Sequence, residues 1–171
     1  QKVSDMRIIG FHGGSSLCEL GTVSDVVLFF DCLRMYVESA HPEQDWSLLS
    51  DRLYRRYLRE DELDAALRLM EQAKQILSMH SAATAVSWDP ILLGDRKKTW
   101  LDPTLPTLAD VFAKYFESFF HCVESSKIFL NSWGIYKPVR TVIADLPDFA
   151  VEKKRSLEEY DNLDDLPFWR R

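Results

Sequence analysis

The first residues that could carry chemistry lie in "RIIGFHGGSSLCELGTVSDVV", which spans residues 7–27. An apolar run, a glycine-rich stretch and a helix-like stretch follow one another there, which is the outline of a phosphate cradle. The glycines of this stretch are Gly10, Gly13, Gly14 and Gly21. Their spacing does not match the dinucleotide-binding fingerprint, and no Lys or Arg lies between Ile8 and Leu33 to reach a phosphate. We therefore predict that these glycines serve turns. A phosphate or nucleotide site in a Gly10–Gly21 loop with His12 is the alternative.

Nucleophilic catalysis would require a serine or cysteine beside a positioned histidine. His12 is followed closely by Ser15, Ser16 and Cys18. His121 directly precedes Cys122, but neighbours on a helix point ~100° apart, so His121 is not expected to activate Cys122. We expect both residues in the core or at its edge, beside Phe119 and Phe120. No GxSxG motif occurs in the chain, and we predict that the protein is not an enzyme.

Metal and cofactor sites are not predicted from the sequence. The HExxH and CxxC spacings and the twelve-residue calcium loop are missing. The three cysteines, Cys18, Cys32 and Cys122, are odd in number and widely spaced. Reduced thiols in a cytoplasmic protein explain them better than a disulfide framework.

Two acidic clusters are the candidate binding residues. The first cluster, in the C-terminal segment 145–171, comprises Glu158, Glu159, Tyr160, Asp161, Asp164 and Asp165. The second cluster comprises Glu60, Asp61, Glu62 and Asp64. Acids among aromatic residues are typical of a protein interface, because rings provide buried contact and acids orient and accelerate association with a basic partner. The alternative for the C-terminal segment is a tail that wraps over the domain with its acids in solvent.

An arginine stripe follows one helix flank at spacings of three and four. Its members are Arg52, Arg55, Arg56 and Arg59. Such a stripe could grip phosphates, but acids at residue 51 and at 60–62 lie close in sequence. We predict a face that is neutralised by these acids.

Composition limits the possible functions further. The chain has 171 residues, of which 46% are hydrophobic and 12% aromatic, so it can build one ordinary core. The net charge is −6, which argues against direct nucleic-acid binding and favours a basic protein partner. No apolar run approaches the ~18 residues that a membrane span needs. We therefore expect no membrane association and a cytoplasmic location.

Apolar spacing predicts the elements that must position these residues. In chain order they are a strand at 6–11, helices at 23–39, 46–57, 63–77 and 107–131, a strand at 139–144 and a helical turn at 157–160. A capping box, Thr107-x-x-Asp110, opens the fourth helix. Residues 80–106 are expected to be a long ordered loop held by Trp88 and Trp100. The expected fold is one α+β domain over 1–171, predominantly helical, with about four main helices and a small β element.

Two segments carry a resemblance to a known family. "WSLLSDRLYRRYLREDELDAALRLMEQAKQIL" and "YKPVRTVIADLPDFAVEKKRSLEEYDNLDDLPFW" resemble the immunity proteins of bacterial contact-dependent growth inhibition systems. The resemblance covers roughly 45–77 and 136–169. It implies a small cytoplasmic protein that binds a cognate toxin domain, frequently a nuclease, and blocks its active site or a nearby surface.

The resemblance agrees with the absence of catalytic motifs and with the acidic charge. We therefore expect a stoichiometric inhibitor of a basic toxin domain. Two other functions stay open, namely an enzyme or binding domain for a phosphorylated or nucleotide ligand, and a helical scaffold in a larger assembly.

Overall fold

The computed structural model describes residues 7–88, 99–162 and 166–171. In this part of the chain the fold is α+β and mainly helical, as the sequence predicts. The strands are β1 (Ile8–Gly13), β2 (Ser16–Thr22) and β3 (Arg140–Ile143). The helices are α1 (Val23–Cys32), α2 (Leu63–Leu77), α3 (Ala82–Ala85), α4 (Leu108–Val111), α5 (Ala113–Trp133), α6 (Leu146–Glu152) and α7 (Leu157–Asp161). One antiparallel sheet has the order β2-β1-β3, and none of the described helices is long and apolar enough to cross a membrane.

The glycine-rich stretch forms a β-hairpin, so the Gly10–Gly21 loop on which the phosphate-site alternative depends is not formed. Gly14 has a φ of +58° and stands first in the two-residue turn, a position that favours glycine in tight hairpins. Gly13 serves close packing instead, because a Cβ there would lie 2.5 Å from the carbonyl oxygen of Cys122. The helix N-terminus follows β2, and it is therefore separated from the glycine turn by a whole strand.

The first helix follows the sequence prediction closely. Thr22 caps α1, and a reciprocal bond from the Thr22 backbone N–H to Asp25 completes a capping box. The helix continues as a π-helical segment, Leu33–Glu38. The two segments together cover nearly all of the helix expected at 23–39. Its apolar residues enter the main core, where Phe29 packs against the rings of Phe112, between α4 and α5, and of Phe116 on α5.

The remaining helices deviate in detail. The helix expected at 46–57 is centred on a π-helical segment, Leu48–Leu53, and is followed by a 3₁₀ turn, Glu60–Glu62. The expected third helix matches α2. The expected fourth helix is divided at Phe112 into α4 and α5, and the Thr107–Asp110 capping box is present.

The loop expected at 80–106 is only partly described, because residues 89–98 lie outside the described part of the chain. It contains the short helix α3, which the sequence analysis missed. Trp88 is buried and donates its indole N–H to the carbonyl of Ala82 at 2.8 Å. Trp100 does not hold the loop by burial, since its side chain is exposed and lies under the Lys114 ammonium at 5.0 Å.

The C-terminal segment wraps over the domain. It contains α6, which was not predicted, and α7, which matches the predicted helical turn. Near the end of the chain, Trp169 is buried and donates to the carbonyl of Tyr54 at 2.9 Å. Glu152 of α6 accepts a hydrogen bond from the backbone N–H of Ile143 on β3 at 2.9 Å. The C-terminal segment is thus attached both to β3 of the sheet and to Tyr54, which directly follows the π-helical segment Leu48–Leu53.

Candidate functional site

Most described acids of the C-terminal cluster bind within the molecule. The Asp161 carboxylate accepts hydrogen bonds from Arg52 Nη1 at 3.3 Å, Tyr57 Oη at 2.9 Å and Arg59 Nη2 at 3.4 Å. Glu159 forms a capping box with Ser156 at the start of α7. The tail thus wraps over the domain as in the alternative, but Asp161 and Glu159 are bonded within the molecule instead of lying free in solvent.

Tyr160 lies beneath the tail and is only 2% exposed. Its hydroxyl donates to Glu152 at 2.6 Å, and the Arg140 guanidinium lies 4.7 Å from the centre of its ring. A partner could therefore not touch its ring without moving α7. Glu158 is exposed, whereas Asp164 and Asp165 lie outside the described residues.

The arginine stripe is neutralised, as the sequence predicts. Asp51 accepts from Arg55 Nε at 2.6 Å and from Arg56 Nε at 3.3 Å. Burial raises the pKa of Asp51, but the hydrogen bonds and charges of these two arginines outweigh it, so the pKa is lowered overall. The bonds from Arg52 and Arg59 to Asp161 were not predicted, because that acid lies about a hundred residues away in sequence.

The second acidic cluster stands at the start of α2. Glu62 is half-buried and accepts from the backbone N–H of Arg59 at 2.7 Å. Asp64 is exposed and pairs with Lys127 of α5 at 2.5 Å. Glu60 and Asp61 are exposed in the 3₁₀ turn before the helix. Glu60 and Asp61 are thus the two predicted acids that are exposed and lie just before the N-terminus of α2, where negative charge is favoured.

The C-terminal end of α5 brings large apolar side chains to the same region. Trp133 is 70% exposed, Ile128 is 56% exposed and Ile135 is 53% exposed. The Asp64–Lys127 pair precedes this stretch, and the Tyr136 hydroxyl follows it with a 2.7 Å bond to the carbonyl of Leu58. These two contacts hold the end of α5 against the acidic turn.

We call the combined feature the corner surface. It consists of Glu60, Asp61, Trp133 and Ile135. The acids of the turn act on Tyr136, which follows Ile135 in the chain. Burial and, to a smaller extent, the charges of Glu62 and Glu60 raise the pKa of the Tyr136 hydroxyl. An exposed tryptophan among apolar residues and acids is the composition of a binding hot spot with charged neighbours.

Sequence reasoning found the acidic half of the corner surface and missed its apolar half. The sequence pattern that could have located it is a glycine, Gly134, flanked by Trp133 and Ile135, because glycine commonly ends a helix. In the structure Gly134 has a φ of +69° and ends α5.

The residues considered for nucleophilic catalysis are not assembled as expected. Phe11 pairs with Cys18 across β1 and β2, so the side chains of these two residues share one side of the sheet. His12 is the next residue of β1 and pairs with Arg140 of β3, so it faces the opposite side. Burial, followed by the charges of Arg140, Lys137 and Lys153, lowers the pKa of His12 from 6.5 to about 4. The His12 imidazole lies beneath α6 and makes an edge contact with the ring of Phe149. We therefore assign a structural role to this neutral side chain.

His121 is exposed, so the core position expected for it is wrong, while Cys122 is buried as expected. His121 Nε2 lies 3.0 Å from Ser16 Oγ. The neighbouring backbone N–H of Ser15 donates to Ser125 Oγ at 3.1 Å, so it is not directed at a reacting group. We interpret this contact as an attachment of the hairpin to α5.

Metal ligands are also not assembled in the part of the chain that the structure describes, since no three His, Cys, Asp or Glu side chains come together there. Comparisons with known proteins give no match, whether to a family model, to a curated protein or to a solved structure. The corner surface is therefore the candidate site on its geometry and charge alone.

Proposed function

We propose that this chain is a bacterial immunity protein that binds a cognate toxin domain in the cytoplasm and neutralises it stoichiometrically, without catalysis. The observation that carries the proposal is the corner surface. It joins Trp133, which is 70% exposed at the end of α5, with the exposed acids Glu60 and Asp61 before α2. The Asp64–Lys127 and Tyr136–Leu58 contacts hold these two elements together. The resemblance of residues 45–77 and 136–169 to immunity proteins supports the same function.

The partner is a basic domain, such as a nuclease with a cationic cleft. Glu60 and Asp61 would face its lysines and arginines, and Trp133 would enter an apolar pocket at the centre of the contact. The net charge of −6 would attract such a domain at long range, which raises association rates by ~10 to 10³-fold at low salt.

The first experiment measures binding to the C-terminal domain that is encoded immediately upstream of this chain's gene, together with rescue of cells from that domain. We expect tight binding that weakens with salt, and full protection. If the neighbouring domain is toxic but the chain neither binds nor protects against it, the proposed function is wrong.

Two matched pairs of variants test the surface itself. Trp133→Ala should weaken binding by at least ~30-fold, the size of a hot-spot residue, whereas Trp100→Ala should leave it unchanged. Trp100 is a fair control because it is also exposed, and its contact Lys114 lies ~28 Å from Trp133 along α5.

The second pair separates local charge from total charge. Glu60→Gln with Asp61→Asn should slow association and flatten its salt dependence. Glu43→Gln with Glu71→Gln removes the same charge from exposed positions outside the corner surface and should change the rate less. Equal effects of the two pairs, together with normal binding by Trp133→Ala, would place the interface elsewhere and leave the immunity function intact.

A further inference from the structure

Two of the three thiols meet where the N-terminal hairpin packs on α5. Cys18 of β2 and Cys122 of α5 have their sulfur atoms 3.8 Å apart, although they are separated by 104 positions in sequence. A disulfide needs ~2.05 Å, so each sulfur atom would move by about 0.9 Å. Side-chain rotation supplies a displacement of this size. Cys32, the third cysteine, is buried on α1.

The backbones on both sides of the thiol pair are already held together. Ser15 donates its N–H to Ser125 Oγ at 3.1 Å, and Ser16 Oγ lies 3.0 Å from His121 Nε2. Gly13 and Gly14 bring the hairpin so close to α5 that a Cβ on either would meet a helix carbonyl oxygen at 2.5 Å or less. The two sulfur atoms therefore meet in the folded protein without any unfolding of the hairpin.

The two thiols differ in access. Cys18 is half-buried at the edge strand, whereas Cys122 is buried and donates its S–H to the carbonyl of Phe11 at 3.4 Å. Burial, and then the neighbouring Cys18, raise the pKa of Cys122. An oxidant from solvent would consequently reach Cys18 first, with Cys122 placed behind it as the resolving thiol.

We propose that Cys18 and Cys122 are an oxidation site that closes to a disulfide in the presence of a peroxide and locks the hairpin onto α5. The Cys18 thiolate attacks one oxygen of hydrogen peroxide, the O–O bond breaks, and the other oxygen leaves as water after protonation. The Cys122 sulfur then attacks the Cys18 sulfenic acid, the S–S bond forms, and the S–O bond breaks to release the second water. Two thiols lose two electrons in total, and one peroxide gains them. This site does not depend on the proposed immunity function.

The test treats the native full chain with hydrogen peroxide, alkylates the remaining thiols under denaturing conditions, and maps the peptides by mass spectrometry. We expect one alkylated thiol, at Cys32, and a single cross-linked peptide pair that contains Cys18 and Cys122. The thermal midpoint should rise on oxidation and return on reduction, because the cross-link restricts the unfolded chain.

Two variants keep the test specific. Cys18→Ser removes the accessible thiol from a half-buried position and should abolish the cross-link and the rise in midpoint. Cys32→Ala is the matched control and should form the same cross-link as the original chain. Three alkylated thiols after peroxide, a cross-link through Cys32, or oxidation that ends at a sulfinic acid on Cys18 would each overturn the proposal.

Discussion

Asp25 offers the sharpest test of how this fold is held together. It is 1% exposed at the start of α1, where it belongs to the capping box with Thr22. Its carboxylate also accepts from Thr99 Oγ1 at 2.5 Å and from the backbone N–H of Trp100 at 2.8 Å. One buried side chain therefore caps a helix and fixes the end of the loop that leads to α4.

The cost of Asp25→Ala follows from the bonds that it removes. Three donors lose a charged acceptor, namely Thr22 N, Thr99 Oγ1 and Trp100 N. Hydrogen bonds to charged groups contribute roughly 1.5 kcal/mol each at the low end of their range, so we expect the three to lower the free energy of unfolding by about 4 to 5 kcal/mol.

The capping box at the start of α4 provides a matched control. Asp110 bonds to Thr107 in the same reciprocal way, but it is exposed, and among the described residues its carboxylate bonds only to Thr107. Asp110→Ala leaves Thr107 as the cap and removes only the acceptor of exposed local bonds, so it should cost about 1 kcal/mol, the usual net value of one hydrogen bond.

The assay compares the three proteins by chemical and thermal unfolding at neutral pH. A difference of ~3 kcal/mol between the two variants corresponds to about 6–12 °C in midpoint for a chain of this length. Equal losses would refute the reasoning, because they would show that burial and the long-range bonds of Asp25 add nothing to its capping role.

Three further predictions concern the sheet and its cover. The pKa of His12 falls from 6.5 to about 4 on folding, so the unfolded state binds more protons between these values and stability is lost as the pH falls through them. Urea unfolding from pH 7 to pH 4 should show this loss, up to ~3 kcal/mol, and His12→Gln should reduce it; an unchanged slope would contradict the assignment. Gly13→Ala should lower the thermal midpoint strongly, since its Cβ would meet the Cys122 carbonyl oxygen, whereas Gly134→Ala should cost only about 1 kcal/mol for its positive φ, with nothing within 4 Å. Trp169→Ala should cost about 3–5 kcal/mol in chemical unfolding, and a smaller loss would mean that the end of the chain is not part of the core.

Much of the local structure could be predicted from the sequence. The Thr107–Asp110 capping box, the apolar stripe of α2 and the strand near residue 140 all depend on residues within a few positions of one another. Such signals act on the backbone before the chain has folded, so they can be read without knowledge of distant partners. The mainly helical α+β fold follows from them.

The glycine-rich stretch shows where local reading fails. Its glycines were correctly assigned to backbone geometry, yet β2 was missed because Ser16–Thr22 alternates only weakly between apolar and polar residues. That strand is stabilised by pairing with β1 and by packing on α5, more than a hundred residues later. Pairing of this kind leaves little trace in a single short segment.

The sequence by itself determined the composition of the candidate sites, and the tertiary structure decided which of them face solvent. The acids of residues 158–161 and those of residues 60–64 look alike as strings, but Asp161 is bound by arginines and Tyr160 is buried, while Glu60 and Asp61 stay exposed. The apolar half of the corner surface and the contact between Cys18 and Cys122 likewise arise only when distant elements pack. The physical reason is that exposure and contact depend on chain positions far apart in sequence, whereas caps and periodicity depend on neighbours.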